Sequence, residues 1–406
     1  MTSALPDDEI CLLIPDGDVV HPEVTILVPS LNEELTIGRF VDWCKQGIAA
    51  SGTSVEILIV DSSTDKTAEV ALAKGARVLK TPRRGLGRAY IDAIPFVRGQ
   101  FVIMGDADCT YDFRSIKPYI DAFREGAEFV MGSRFRGHIE PGAMPALHRY
   151  FGTPLTTFIL NFMFGSQFSD IHCGMRGLTR DALERMEMRS QGWEYASEMV
   201  LKSVHMDLRV TEVPINFLKD PEGRLSHMKR RGWLEPWRAG WMNLQAMFTY
   251  GVDFFLLKPG IALLAIGLLF LIPLTFGSIT IGPIGLSLNT MLLALTLSTL
   301  GLSMVYSGLI AGILFDYGNT KRTRLERALP FNRIVVICLL VALAGPLAMV
   351  PIVRTYLANG FTLPSIGLET HWAVMGLWLT TAAFQTFIFS LMVRALGVVL
   401  PRRGRQ

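Results

Sequence analysis

A chain of 406 residues is too long for one typical domain, and half of those residues are hydrophobic, so a single soluble domain is excluded and a membrane part comes first into view. The net charge of +3 selects no partner, because the basic residues sit mainly in loops that face a membrane, and nothing in the composition calls for nucleic acid. Cys11, Cys44, Cys109, Cys173 and Cys338 form no Cys-x-x-Cys pair and read as reduced, buried small hydrophobes.

Residues 1–22 read as an extended lead-in without identifiable chemistry, and Asp7, Asp8 and Glu9 argue against a signal peptide. Residues 24–28 are a continuous apolar, β-branched run that ends at Pro29, the pattern of a buried strand. Ser30 or Asn32 is placed to cap the helix implied by Leu35, Phe40, Trp43, Cys44 and Ile48. A second strand, 55–60, ends at Asp61, and Thr64 or Asp65 caps a helix to about residue 74. A third strand, 76–80, leads to Arg83, Arg84 and the turn Gly85-Leu86-Gly87, then a helix over 88–96. Strands alternating with helices predict a parallel sheet with crossover connections.

The strand at 101–104 runs through Gly105 into Asp106-Ala107-Asp108. Two carboxylates at the carboxyl end of a buried strand lie where open α/β sheets bind ligands, and they suit a hard cation that shares substrate phosphates. Cys109 beside them has no histidine near in sequence, which weakens a nucleophile reading. A helix over 113–125, a strand at 129–132 and an apolar tract at 155–164 follow; the tract reads as a helix lying in the headgroup region, with a core helix the alternative. Segment 169–176 is short and polar, residues 179–188 and 194–205 are helical by pattern, and 208–213 alternates as a strand. Arg224, Lys229, Arg230 and Arg231 precede Trp233, Trp237 and Trp241, which share one helical face and suit a membrane interface.

Between Lys258 and Asp316 no Asp, Glu, Lys or Arg occurs, a run long enough for two crossings of about 20 residues each, turned at 277–285. Further spans lie between Arg333 and Arg354 and between Glu369 and Arg394. The expected spans are about 255–276, 289–315, 334–353 and 371–393. Lys321, Arg322, Arg324, Arg327 and Arg333 lie on one side with Arg394, Arg402, Arg403 and Arg405, and Arg354 alone lies on the other. The positive-inside rule then puts both termini and the central loop in the cytoplasm, as expected of a multi-pass protein of a bacterial or archaeal inner membrane.

The ordered set Val-Pro-Ser-Leu-Asn-Glu-Glu at 28–34, Val-Asp-Ser-Ser-Thr-Asp-Lys-Thr at 60–67, Gly-Leu-Gly-Arg-Ala at 85–89, Gly-Asp-Ala-Asp at 105–108, Gly-Ser-Arg at 132–134, Ser169-Asp170 with Cys-Gly-Met-Arg at 173–176, and Glu-Val-Pro-Ile at 212–215 resembles the family 2 glycosyltransferases. The branch it is most similar to is the polyprenyl-phosphate glycosyltransferases, of which dolichyl-phosphate mannose synthase is the familiar member. The resemblance covers roughly residues 22–230, and it implies an α/β fold of the A-type nucleotide-diphospho-sugar class, Rossmann-like with a mostly parallel sheet, ahead of an all-α four-helix transmembrane domain. The expected organisation is a lead-in at 1–22, a cytoplasmic glycosyltransferase domain at 23–230, an amphipathic interfacial helix at 231–253 and a membrane domain at 254–406.

The same resemblance implies that Pro29, Leu31, Glu33 and Asp61 line the nucleoside; apart from it, the turn at Gly85-Leu86-Gly87 with Arg83, Arg84 and Arg88 around it offers a nucleotide-side site with charge for a diphosphate. Asp106 and Asp108 would bind Mg²⁺ or Mn²⁺, and Arg134 and Arg176 would serve catalysis by holding phosphate. Arg134, Arg149, Arg176, Arg224 and Ser226 are the acceptor-phosphate candidates. Departures from the family pattern, Leu31 for an aromatic, Thr110 for a Gln and Ser226-His227 for Ser-Lys, leave the sugar and base open. The Gln-x-x-Arg-Trp element of processive synthases is absent, which argues for a single transfer.

The implied reaction moves one sugar from a nucleotide-sugar donor to a polyprenyl phosphate, a dianion near neutral pH that needs no general base. Transfer to a lipid hydroxyl is the alternative and would ask Asp112 or Asp170 to act as base. A non-catalytic partner of a lipid-sugar flippase is the rival from another class. Expected partners are the donor, the lipid acceptor and the bilayer; a homo-oligomer is left open.

Overall fold

The computed structural model describes residues 10–221, 241, 244–245, 248–249, 251–314, 320–363 and 367–399. The chain divides after residue 249 into two compact units. The first holds β1 (Cys11–Leu13), β2 (Val24–Ser30), α1 (Ile37–Ser51), β3 (Val55–Asp61), α2 (Thr67–Ala73), β4 (Arg77–Lys80), α3 (Leu86–Ala93), β5 (Phe101–Met104), α4 (Lys117–Arg124), β6 (Phe129–Ile139), α5 (Thr153–Phe164), β7 (Arg176–Thr179), α6 (Arg180–Met186), α7 (Tyr195–His205) and β8 (Val210–Phe217).

The eight strands form one sheet in the order β1-β4-β3-β2-β5-β7-β6-β8. β2 pairs in parallel with both β3 and β5, so the chain leaves β2 on one side for β3 and β4 and returns to its other side for β5. That reversal of direction is the switch point beside which open sheets build their sites. Strands β2 and β3 are apolar without alternation because helices cover both faces: Ile26, Leu27, Val28, Leu58, Ile59 and Val60 are fully buried.

The sheet departs from the sequence reading at its edge and in its middle. Residues 11–13, expected to form no element, pair antiparallel with β4. The polar segment ending at Arg176 enters β7, which lies antiparallel between β5 and β6. Neither strand carries the long apolar run that betrays a buried strand, because each is short and secured by its neighbours' backbone. The capping expectation for α1 also fails. Ser30 donates to Asp61 and Asn32 bonds the second loop, while α1 begins after Thr36 without a side-chain cap. For α2 the N-cap is Lys66 rather than Thr64 or Asp65, and its side chain makes no capping bond; Asp65 Oδ1 instead accepts from the Thr67 N–H at 3.0 Å from one residue further back.

The second unit holds α8 (Val252–Leu274), the hairpin β9 (Ile279–Ile281) and β10 (Ile284–Leu286), α9 (Leu288–Leu314), α10 (Thr320–Ala328), α11 (Phe331–Ala358) and α12 (Leu368–Val399). Four of these helices are long and apolar enough to span a bilayer, over Phe254–Leu274, Leu288–Leu314, Phe331–Ala358 and Leu368–Val398. The last two outrun the expected spans because their backbone hydrogen bonding continues past Arg333, Arg354 and Arg394. Small residues let the backbones meet: a Cβ on Gly301 would press on Leu264, and one on Gly376 would press on Met349 and Ala348. Tyr306 bonds Thr386 at 2.6 Å and Gln385 bonds Ser303 at 3.0 Å, joining α9 to α12. The expected interfacial helix at 231–253 falls mostly outside the described residues, as do Trp233 and Trp237.

Candidate active site

Three loops follow the carboxyl ends of β2, β3 and β5, and the first two are laced together. Asn32, in a left-handed conformation with φ 51°, donates its N–H to Ser63 Oγ at 2.7 Å and accepts from the Thr64 N–H at 3.0 Å. The Glu33 N–H donates to Thr67 Oγ1 at 2.9 Å, and the Glu34 N–H to Asp65 at 3.3 Å. Pro29, near the end of β2, and Leu31, on the first loop, are half-buried. Glu33 is buried, and its carboxylate accepts from Thr36 at 2.7 Å.

Asp61 is 1% exposed at the end of β3. Its Oδ1 accepts from Ser30 at 3.0 Å and from the Ser63 N–H at 3.3 Å, whereas Oδ2 is buried and meets no donor. Burial pushes the carboxyl upward, against the pull of those hydrogen bonds and of Lys80. A buried acceptor of this kind suits the N–H of a nucleobase.

After β5, Asp106 and Asp108 are both half-buried. Asp108 Oδ1 accepts from the Thr110 N–H at 2.9 Å and its hydroxyl at 2.6 Å, which fixes that carboxylate's rotamer. Between them and Thr110, Cys109 takes φ 61° and burial pushes its thiol upward, the opposite of what a nucleophile needs. Gly174 stands so near that a Cβ there would lie 2.8 Å from Asp106 Oδ2, and its N–H donates to Tyr111 at 2.7 Å. Paired hard-oxygen ligands one residue apart fit Mg²⁺ or Mn²⁺ with diphosphate completing the shell. Among the described residues no third His, Cys, Asp or Glu joins them.

The turn before α3 approaches loop 189–192. Gly85 has φ 119°, and the Arg88 N–H donates to Gln191 O at 3.0 Å. Gly87 is buried there, since a Cβ would meet Ser190 O and lie 2.8 Å from Tyr195 Cβ. Arg83 and Arg84 are exposed, whereas Arg88 pairs with Asp92 at 2.8 Å.

Two of the expected phosphate ligands are otherwise occupied. Arg134 is buried and grips Asp170 through two bonds of 2.7 and 2.8 Å, with its ring-facing side over Phe217. Arg176 is buried and donates to three carbonyls, of Cys173, Ile171 and Ala196, and burial pulls its pKa down. Both arginines are engaged with the 169–176 loop or its neighbours. Arg149 is half-buried against Tyr150. Arg224 and Ser226 lie outside the described residues.

The sequence reading passed over several neighbours of the triplet. Tyr90 stacks on Tyr195 at 5.1 Å and donates to Gly105 O at 3.0 Å, one residue before Asp106. Glu198 and Lys202 form a buried ion pair at 2.6 Å. The i, i+4 spacing of that pair was the available signal, although such pairs are usually solvated. A surface cavity lined by Gln100, Glu128, Arg180 and Arg209 lies at the amino ends of β5 and β6, the wrong end of the sheet for this chemistry.

Residues 25–186 match Glycosyl transferase family 2, and residues 314–397 match the Glycosyltransferase family 2 C-terminal transmembrane region. The low-salt glycan biosynthesis hexosyltransferase Agl6 of Haloferax volcanii is 34% identical, across 93% of this chain and 91% of that protein. A dolichyl-phosphate hexose transferase of the same organism is 27% identical across 48% of this chain and 82% of its own length. Among solved structures, glucosyl-3-phosphoglycerate synthase of Mycobacterium tuberculosis is 18% identical, with a TM-score of 0.44 over 56% of this chain and 80% of that one.

Proposed function

The chain belongs to glycosyltransferase family 2 and is a membrane glycosyltransferase, and from that premise we propose that it moves a single sugar from a nucleotide-diphosphate donor to a polyprenyl phosphate at the cytoplasmic face. One observation carries the choice of acceptor. A hydroxyl acceptor needs a base, and both carboxylates considered for that duty are held by guanidinium groups: Asp170 by Arg134, and Asp112 by Arg114 at 2.7 and 3.0 Å. A phosphate monoester, with a second pKa near ~6, arrives already ionised.

In this reading the laced loops receive the nucleoside, with Asp61 Oδ2 accepting from the base and Pro29, Leu31 and Glu33 beside it. Asp106 and Asp108 would hold Mg²⁺ or Mn²⁺, which when bound neutralises charge on the departing diphosphate. Arg84, with Arg83, adds cationic charge on the diphosphate side. The acceptor phosphate falls to Arg134, Arg149, Arg176, Arg224 and Ser226, with Arg134 held by Asp170 and Arg176 by backbone carbonyls until it arrives. The apolar outward face of α5 lies in the headgroup layer, consistent with exposed Leu155, Phe158 and Phe162 and with exposed Tyr150 and Phe151 just ahead of the helix.

The test is to incubate the purified full-length protein with labelled UDP- and GDP-sugars, Mn²⁺ and polyprenyl phosphate. An acid-labile lipid product is expected, and none with Asp106→Ala or Asp108→Ala. A product that survives mild acid would replace this acceptor with a lipid hydroxyl.

A further inference from the structure

We infer that Glu198 is a positioning residue for the diphosphate side of the metal triplet, acting through loop 186–191. The inference rests on the reading of Asp106 and Asp108 as metal ligands.

Glu198, fully buried on α7, accepts from the N–H groups of Arg189 at 3.1 Å and Ser190 at 2.7 Å. Its ion-pair partner Lys202 donates to Met186 O and Glu187 O, both at 2.8 Å. One buried pair thus fixes four backbone groups of a loop whose Glu187 sits at φ 43°. That loop is the wall against which the Gly85–Gly87 turn is pressed, through the Arg88 N–H bond to Gln191 O and the Cβ-free approach of Gly85 and Gly87. From the turn, α3 carries Tyr90, stacked on Tyr195, to Gly105 O beside Asp106. The contacts run without a gap from Glu198 to the metal triplet, and the same turn presents Arg83 and Arg84.

A buried ion pair is weak evidence for stability, since apolar residues of similar volume often replace one without loss. The cost is explained if the pair sets the loop's orientation. Replacing both charges together, Glu198→Leu with Lys202→Met, removes the orientation without leaving a lone buried ammonium.

The experiment measures Mn²⁺-dependent binding of UDP and GDP to the full-length protein in detergent by calorimetry, alongside thermal unfolding. The double variant is expected to stay folded, with an unfolding temperature lowered by the four backbone groups left without these partners, and to need about tenfold more Mn²⁺ for half-maximal nucleotide binding, the scale at which residues behind metal ligands act. Glu198→Gln combined with Lys202→Met keeps an acceptor for the Ser190 N–H without a lone buried ammonium and should recover part of the loss. Tyr90→Phe, which deletes only the hydrogen bond to Gly105, should raise the Mn²⁺ requirement in the same direction. A folded double variant, or Tyr90→Phe, with unchanged Mn²⁺ dependence overturns the inference. Mn²⁺-dependent binding that survives Asp106→Ala overturns instead the metal reading beneath it.

Discussion

At the scale of single residues, the clearest trade between folding and function is Asp61. Its folded pKa is raised, so the charged form costs stability at neutral pH, and that cost disappears as the pH falls below both its folded and unfolded values. Asp61→Asn should therefore raise the unfolding temperature while weakening nucleotide binding about tenfold or more, because an amide N–H would face the base's donor across the buried Oδ2 position. Calorimetry with UDP and GDP, read with thermal unfolding, checks both signs. His172 works the other way. Burial lowers its pKa from 6.5 to about 4, helped by Arg134, Arg176 and His148 against the pull of Asp170. The unfolded chain thus binds the proton more readily, and stability present above pH 6.5 is lost as the pH falls toward about 4. His172→Gln should flatten that decline by up to about 3 kcal/mol, measured by unfolding across the same range. The acids of the site were legible in sequence because each follows a strand whose apolar run marks its end. The arginines were not. Arg134 finds its partner 36 residues away and Arg176 bonds carbonyls both near in sequence and 20 residues on, and no local pattern distinguishes a guanidinium aimed at carbonyls from one aimed at phosphate.

Among the elements, the strands buried on both faces could be read from their unbroken Val, Ile and Leu, whereas β1 and β7 depend on neighbours for every hydrogen bond and left no such mark. Helix α5 was legible as apolar but ambiguous in its setting. The structure divides it into a buried side, Thr153, Thr157, Leu160 and Met163, and an outward side on which Phe158 is 66% and Phe162 69% exposed. So large an aromatic surface in water marks an interaction site. With Phe158→Trp in nanodiscs, brominated lipids should quench the added fluorescence; an unquenched signal would place the face in water or against protein.

For the whole molecule, the proposed orientation of the membrane unit rests on the charge asymmetry of its loops. Cysteines introduced at Asn359 and at Arg324 should react with an impermeant maleimide from opposite sides of sealed vesicles, Arg324→Cys only from the cytoplasmic side. Labelling of both from one side would break the proposed topology. Helix boundaries beyond the charges were not legible, because charge marks where hydrocarbon ends and not where a helix does. Finally, the bonds from Asn32, Glu33 and Glu34 to Ser63, Thr64, Asp65 and Thr67 splice two distant stretches of chain into one surface. Neither stretch can be exchanged with that of another transferase without orphaning donors on its mate. On the proposed reading, in which this surface receives the base, a lineage drifting toward a different nucleobase would have to alter both together, so preference for the base should be inherited as a linked pair of motifs.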